Sequence, residues 1–287
     1  MKKFIGALFL AFVFLTACTR NNNKPEELIQ VQEIESENTA FHFKYNELDQ
    51  LNRFEVWNKA GGDNAKKLYS YVAINYANGT PESADFFEQG IGGGLYRKTV
   101  ATYHYTPLRR IKYTVFTYFE PDGSPLNRKN DTLDLQFDAN NRIISIGWRG
   151  SYLPENVYSY DAQGNLIQLE QNISLQSDTY KYTHQHSYDG YPNPFAMNGT
   201  GTTLCILYFN EYFYPYELLS AKNPTYYKME ITQKSGSTSL QYEESSRHNN
   251  RYDAHGILSG QTIIMSDNYN GTPSTDEIIY QFSCIKK

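Results

Sequence analysis

The chain is expected to be all-β: an antiparallel meander of roughly a dozen or more strands, forming a strongly curved sheet or open barrel. Three observations predict this. There are 26 Tyr and 16 Phe among 287 residues, an excess suited to pleated, half-buried surfaces where a ring packs on one side and a phenol reaches water on the other. A short turn pattern recurs: an aromatic, Asp, two residues, Gly, one residue, then an aliphatic. The segments before it alternate with period two, as in Leu133, Leu135 and Phe137, or Tyr158 and Tyr160. A sheet of this size must twist and curl to shelter its edges.

The first element is a signal. Lys2 and Lys3 precede an apolar run from Phe4 to Leu15, followed by Thr16, Ala17 and Cys18. The run is too short for a hydrocarbon core, which needs roughly 20 residues. Small residues before a cysteine permit cleavage there. Leu15 to Cys18 is similar to the lipobox of bacterial lipoproteins, and this resemblance implies that residues 1–17 are removed and Cys18 is acylated. Residues 18–38 are then the lipidated N-terminus and tether, polar over Thr19 to Lys24. In Bacteroidota-type lipoproteins a lysine and acidic pair soon after the cysteine resembles the signal for surface display. Lys24, Glu26 and Glu27 match it loosely, so an outer-membrane anchor is expected, with the surface and periplasmic faces both open.

The remaining residues, 39–287, are expected to form one β domain. Its clearest turn is Tyr160, Asp161, Ala162, Gln163, Gly164, Asn165, Leu166. Tyr252 to Leu258 is a second full match. Phe137 to Ile143 is a third with Asn141 in the glycine place, and Tyr45 to Leu51 a looser fourth. Near Phe119 to Leu126 the spacing slips by one, and a degenerate hairpin is expected around Tyr76 to Gly79. The physics is local: Asp accepts hydrogen bonds from amides just ahead, and Gly or Asn takes a positive φ. Each copy thus predicts a hairpin. Between Tyr191 and Pro224 the alternation fails. An apolar and aromatic run from Leu204 to Leu219 suits a short helical or irregular insertion, interrupted at Pro215, that plugs an open end or covers a face.

The net charge is −5 and becomes more acidic once Lys2 and Lys3 are removed, so no basic field attracts nucleic acid. His184 and His186, two apart on a strand, share a face and are the sharpest metal candidates. No third histidine lies nearby in the sequence, and Tyr182 and Tyr188 continue the row as a solvent-facing stripe. No metal or other cofactor is expected. The glycines from Gly90 to Gly94 precede a strand pattern rather than a helix and read as a loop. Asp267 to Glu277 lacks calcium-loop spacing. Cys205 and Cys284 are the thiols left after acylation; a disulfide and two buried small hydrophobes are both open readings. Tyr208, Tyr212, Tyr214, Tyr216, Tyr226 and Tyr227 are candidate binding aromatics for a glycan or an envelope protein. No G-x-S-x-G elbow occurs, and the catalytic residues are unknown.

The turn unit resembles the tyrosine-aspartate hairpin repeat of Rhs-type and teneurin-like proteins. With the lipobox, and with Tyr188, Asp189, Pro192, Asn193, Pro194 and Phe195, the chain is similar to uncharacterised Bacteroidota lipoproteins that carry such hairpins. That resemblance implies the fold but no activity, and too few clear copies occur for a toxin-enclosing shell. The expected function is a membrane-anchored, non-enzymatic binding or structural β module whose anchor partner is the membrane through Cys18. A carbohydrate-active or other hydrolase with a site in the concave face is the alternative.

Overall fold

The computed structural model describes residues 28–59, 66–90, 93–127, 130–150, 155–175, 178–207, 215–235, 238–269 and 272–286. Cys18, Tyr208, Tyr212 and Tyr214 lie outside the described residues. Sixteen strands follow one another around one closed barrel. They are β1 (Ile29–Glu35), β2 (Thr39–Tyr45), β3 (Leu51–Lys59), β4 (Lys66–Ala77), β5 (Thr80–Gln89), β6 (Leu95–Tyr105), β7 (Ile111–Tyr118) and β8 (Asp131–Phe137). The circuit continues through β9 (Ile143–Trp148), β10 (Asn156–Tyr160), β11 (Leu166–Leu175), β12 (Asp178–Pro192), β13 (Lys222–Ser235), β14 (Thr238–Tyr252), β15 (Leu258–Tyr269) and β16 (Thr272–Lys286). Two short helices, α1 (Thr200–Ile206) and α2 (Pro215–Leu219), interrupt it between β12 and β13.

The sheet closes fully, because β1 pairs antiparallel with β16, Ile29 opposite Lys286. This shortens the expected tether: residues 29–35 are wall, not linker. Ile29, Val31 and Ile34 are buried, and leaving them in water would forfeit their transfer free energy and leave two sheet edges unpaired.

The up-and-down order places every link after an even-numbered strand at the rim where the chain enters and leaves. All the aromatic–Asx turns of the sequence pattern except the slipped Phe119 copy are at that rim. Asp161 shows the mechanism. Its N–H donates to the Asn165 carbonyl at 2.9 Å and its carbonyl accepts from Gly164 N–H at 3.2 Å, while its Oδ1 takes the amides of Gln163 (2.9 Å) and Asn165 (2.8 Å). Asp138, Asp253 and Asn46 repeat this. The left-handed seat is filled by Gly164 (φ 89°), Gly256, Asn141, Asp49 and, against expectation, Arg109 (φ 59°). Tyr105 to Ile111 is thus a further copy that the pattern concealed, with Thr106 Oγ1 accepting from Arg110 N–H at 3.2 Å in place of a carboxylate.

A second regularity joins the hairpins. Tyr76 donates its phenol to the Leu51 carbonyl at 2.7 Å, Tyr160 to Ile143 at 2.8 Å and Tyr45 to Val31 at 3.0 Å. Tyr105 does the same to Pro81, and Tyr188 to Leu166. Burial pushes the phenols of Tyr45, Tyr76 and Tyr105 up to about 12, so each remains a donor.

Strand parity follows from these turns. The residues two and four before each turn aromatic point into the lumen: Phe43 and Phe41, Ile74 and Val72, Tyr103 and Ala101, Leu135 and Leu133 are all buried. They form one core. The outer face carries charge. Lys228 bridges Glu230 (2.9 Å) and Glu243 (3.0 Å), and Arg149 pairs with Asp134. Glu55 is only 2% exposed, yet it faces outward beneath Lys44 (2.7 Å) and Arg53 (2.6 Å), with Trp57 Nε1–H donating at 3.1 Å. Membrane-crossing barrels place apolar side chains outward; this barrel has the opposite arrangement. No helix among the described residues is long and apolar enough to cross a membrane.

The insertion enters this core and does not lie over an outer face. Leu204, Cys205, Ile206, Leu207, Tyr216 and Leu218 belong to the core cluster, and Phe195 meets Phe43 of β2 at 5.8 Å. Asn193, 1% exposed, clamps its two ends: Nδ2 donates to the carbonyls of Glu217 (2.6 Å) and Ser220 (2.9 Å), and Oδ1 accepts from Phe195 N–H at 3.0 Å. Gly201 is there because a Cβ would lie 1.8 Å from the Leu218 carbonyl oxygen. The thiols anticipated as a disulfide or a pair of small hydrophobes are both free. Cys205 is buried in α1, and half-buried Cys284 in β16 turns its S–H toward the Leu258 carbonyl at 3.6 Å.

Asn193→Ala is expected to cost about 2–3 kcal/mol through the carbonyls it leaves buried without donors. Tyr160→Phe should cost about 1 kcal/mol. Urea unfolding measures both, and equal midpoints for wild type and Asn193→Ala would refute the clamp.

Candidate functional site

At the residues two and four before a turn aromatic, most hairpins place apolar side chains. Two place histidine there instead: His186 and His184 before Tyr188, and His248 with Asn250 before Tyr252, while Asn156 takes one such seat before Tyr160. Buried polar groups in core seats are the informative departure from the usual pattern. β12, β13 and β14 carry them side by side. His186 stands opposite Tyr227 and His184 opposite Met229, while Ser246 stands opposite Tyr227 on the next strand.

α2 completes the cluster by lowering Tyr216 into the lumen. Its ring stacks on Tyr227 with centroids 4.8 Å apart, lies 4.8 Å from His186, and meets the edge of His248 at 5.8 Å. His184 Nδ1 shares a 3.1 Å hydrogen bond with the Tyr227 hydroxyl, and His248 Nε2 one of 2.9 Å with Ser246 Oγ. His184 Nε2 and both ring nitrogens of His186 have no hydrogen-bond partner among the described residues. Desolvation pushes His184 and His248 down to about 4 and His186 to about 3, the last also through its two histidine neighbours. The imidazoles are therefore neutral at ordinary pH.

The row at His184 and His186 is thus not the solvent-facing stripe that its alternation suggested; His184 is 7% exposed. The third histidine, distant in sequence, arrives from β14. Among the described residues no group of three or more His, Cys, Asp or Glu side chains converges to hold a metal, so the pair is not completed as a metal centre. The candidate aromatics also separate. Tyr216 and Tyr227 are lumen residues, whereas Tyr226 is half-buried on the outer face opposite Arg247. The residues that sequence reasoning missed are Ser246, His248, Gln261 and the clamp Asn193. Their signal was parity: Ser246, His248 and Asn250 alternate ahead of Tyr252 just as His184 and His186 do ahead of Tyr188.

Beside the cluster runs a cavity of about 70 Å³, walled by the insertion through Phe195 and Tyr216 and by β13–β16 and β1 through Tyr227, Ser246, Ile263 and Phe282. A second cavity on the far side of the insertion is bounded by Leu207, Val72, Phe86, Phe116 and Trp148.

No family model matches the chain, and no curated protein matches it. Among solved structures, a porin-like protein from Bacteroides uniformis is similar over 90% of this chain and 96% of its own length, at 11% identity and a TM-score of 0.55. The likeness is one of fold alone: both are β-barrels. Two toxin-complex structures, TcdB2-TccC3-Cdc42 and TcdB2-TccC3 without its hypervariable C-terminal region, overlap 86% of this chain but 13% and 17% of their own. Their TM-scores are 0.29 and 0.23, each at 12% identity.

The neutral histidines give a pH test. Unfolded histidine protonates near 6.5, so below that pH the unfolded chain binds protons that the barrel refuses. Stability should be complete above about 6.5, fall as pH drops toward 4, and level off below the folded values. Each histidine contributes up to about 1.4 kcal/mol per pH unit in that window. Urea unfolding at several pH values should show a shallower fall for His186→Phe than for wild type; identical slopes would sink the assignment.

Proposed function

We propose that this protein is a lipid-anchored β-barrel of the bacterial cell envelope, standing in water and acting as a non-enzymatic binding or structural module. The observation that carries this reading is the barrel's patterning, with an apolar, plugged lumen and a charged outer wall. Such a wall cannot face lipid tails without burying ion pairs in hydrocarbon, at a cost of several kcal/mol per charge near the midplane. Among the described residues the lumen is occupied by core side chains and the insertion.

Attachment then falls to Cys18. The barrel begins at Ile29, so a short linker separates the acylated cysteine from the wall. Stable anchoring needs more than one acyl chain, and the lipobox reading supplies it. Membership of the Bacteroidota lipoproteins with tyrosine-aspartate hairpins is part of the same proposal, supported by the further hairpins at Tyr76, Tyr105 and Tyr188 that share the phenol-to-carbonyl bond. Outer-membrane placement follows from that membership, with Lys24, Glu26 and Glu27 as the candidate export signal.

A non-enzymatic role is favoured by the chemistry of the lumen. Imidazoles held near 3 and 4 are poor bases at neutral pH. The carboxylates Asp138, Asp161 and Asp253 are occupied in turns, their pKa values lowered by the amides they accept.

Cells expressing the full chain should incorporate labelled palmitate into it and retain it in the membrane fraction through a high-salt wash, and Cys18→Ala should abolish the label. The mature chain from Thr19, exported by a plain secretory signal, should be soluble and stay out of the detergent phase. Its spontaneous insertion into lipid vesicles would overturn the reading.

A further inference from the structure

We propose that the cavity beside the histidine–tyrosine cluster is a ligand site for a small, mostly apolar molecule with an uncharged hydroxyl head, an aliphatic or aromatic alcohol. This deepens the reading of the barrel as a binding module and rests on it.

The cavity is lined by a mostly apolar surface with a small polar patch set in it. Ile34 of β1 faces Phe282 of β16, Ile263 of β15 faces Ile278 of β16, and Met265 continues the apolar side. This surface suits a hydrocarbon body, which gains about 25 cal/mol for each Å² removed from water. On the same stretch of wall, Ser246, paired with Met265, and Gln261, two residues before Ile263 on β15, each 5% exposed, present polar groups from adjacent strands. Ser246 Oγ is already coupled to His248 Nε2 at 2.9 Å, and Gln261 Nε2 to Asn250 Oδ1 at 2.9 Å. A hydroxyl can both donate and accept, so an alcohol head joins this network whichever way the Ser246–His248 proton lies. A few convergent polar groups at the edge of an apolar pocket are the usual composition of a small-molecule site.

Charge selects the head. The charged residues among the described lining are Glu217 and Glu244, both acidic. The imidazoles nearest the cavity are neutral. A carboxylate or phosphate head would enter a low-dielectric site at which none of the described lining residues is a cation. The insertion forms part of the wall through Phe195 and Tyr216, so the cavity depends on the Asn193 clamp.

The test uses the mature chain from Thr19 to Lys287, which retains the whole closed barrel, with the uncharged probe N-phenyl-1-naphthylamine. Its fluorescence should rise saturably at one site per chain, and octan-1-ol should displace it where octanoate does not. Ile263→Trp should abolish probe binding. Because that change can unfold the barrel, Ile278→Phe is run alongside and must weaken binding with its melting temperature preserved. Ser246→Ala should weaken displacement by octan-1-ol about tenfold more than it weakens probe binding, as loss of one hydrogen bond predicts. Absence of saturable binding, displacement by octanoate as strong as by octan-1-ol, or unaltered binding in a folded Ile278→Phe variant would each overturn the proposal. Palmitate labelling and fractionation decide the anchor separately, so an empty cavity leaves the envelope reading intact and a soluble, unlabelled protein leaves the cavity result intact.

Discussion

At four hairpins a single side-chain oxygen captures two backbone amides and decides where the strand reverses, and the rest of the barrel depends on these turns. At Asp161 the Oδ1 holds the amides of Gln163 and Asn165, and the same capture recurs at Asp138, Asp253 and Asn46. A strand has a period of two, so a slip of one residue would exchange its lumen and outer faces. Fixing the turn therefore fixes which side chains become core. The register shift beside each turn aromatic, as at Ser159/Tyr160 and Gln136/Phe137, is the local bulge that seats the ring over the preceding hairpin.

The phenol-to-carbonyl bonds carry this local decision around the circuit. Tyr45, Tyr76, Tyr160 and Tyr188 each bind a carbonyl near the start of the preceding returning strand, so adjacent hairpins are tied at the rim as well as through the ladder. At Phe137 no hydroxyl is available, and the Arg110 guanidinium instead donates to the Asp138 carbonyl at 3.0 Å across the same gap. Closure of β1 on β16 then leaves no free edge. The resulting lumen is wider than strand side chains alone fill, and the insertion supplies the missing volume with Leu204, Leu207, Tyr216 and Leu218. Where packing stays incomplete, beside β13–β16, neutral imidazoles and a cavity occupy the space. Structure and candidate function therefore share one origin.

Much of this was legible in the chain. The all-β class, the hairpins at Tyr45, Phe137, Tyr160 and Tyr252, and the break between Tyr191 and Pro224 follow from residues within a few positions of one another. The Tyr105 hairpin was hidden because Thr106 and Arg109 stand where Asp and Gly were sought, although the six-residue step to Ile111 was intact. The inward direction of His184 and His186 was misread, since a polar row on a strand looks the same from sequence whether it faces water or a lumen. Asn193, quoted for its neighbours Pro194 and Phe195, gave no hint that it would hold both ends of the insertion.

By itself the sequence determined the turns, because capture of an amide by a side chain two to four residues away needs no other part of the chain. Only the tertiary structure decided that the sheet closes, that β1 takes residues assigned to the tether, that the insertion lies inside, and that His248 joins His184 and His186. Those outcomes require segments far apart in the chain to meet. Which of them meet depends on the accumulated twist and register of sixteen strands, a sum that no local pattern contains.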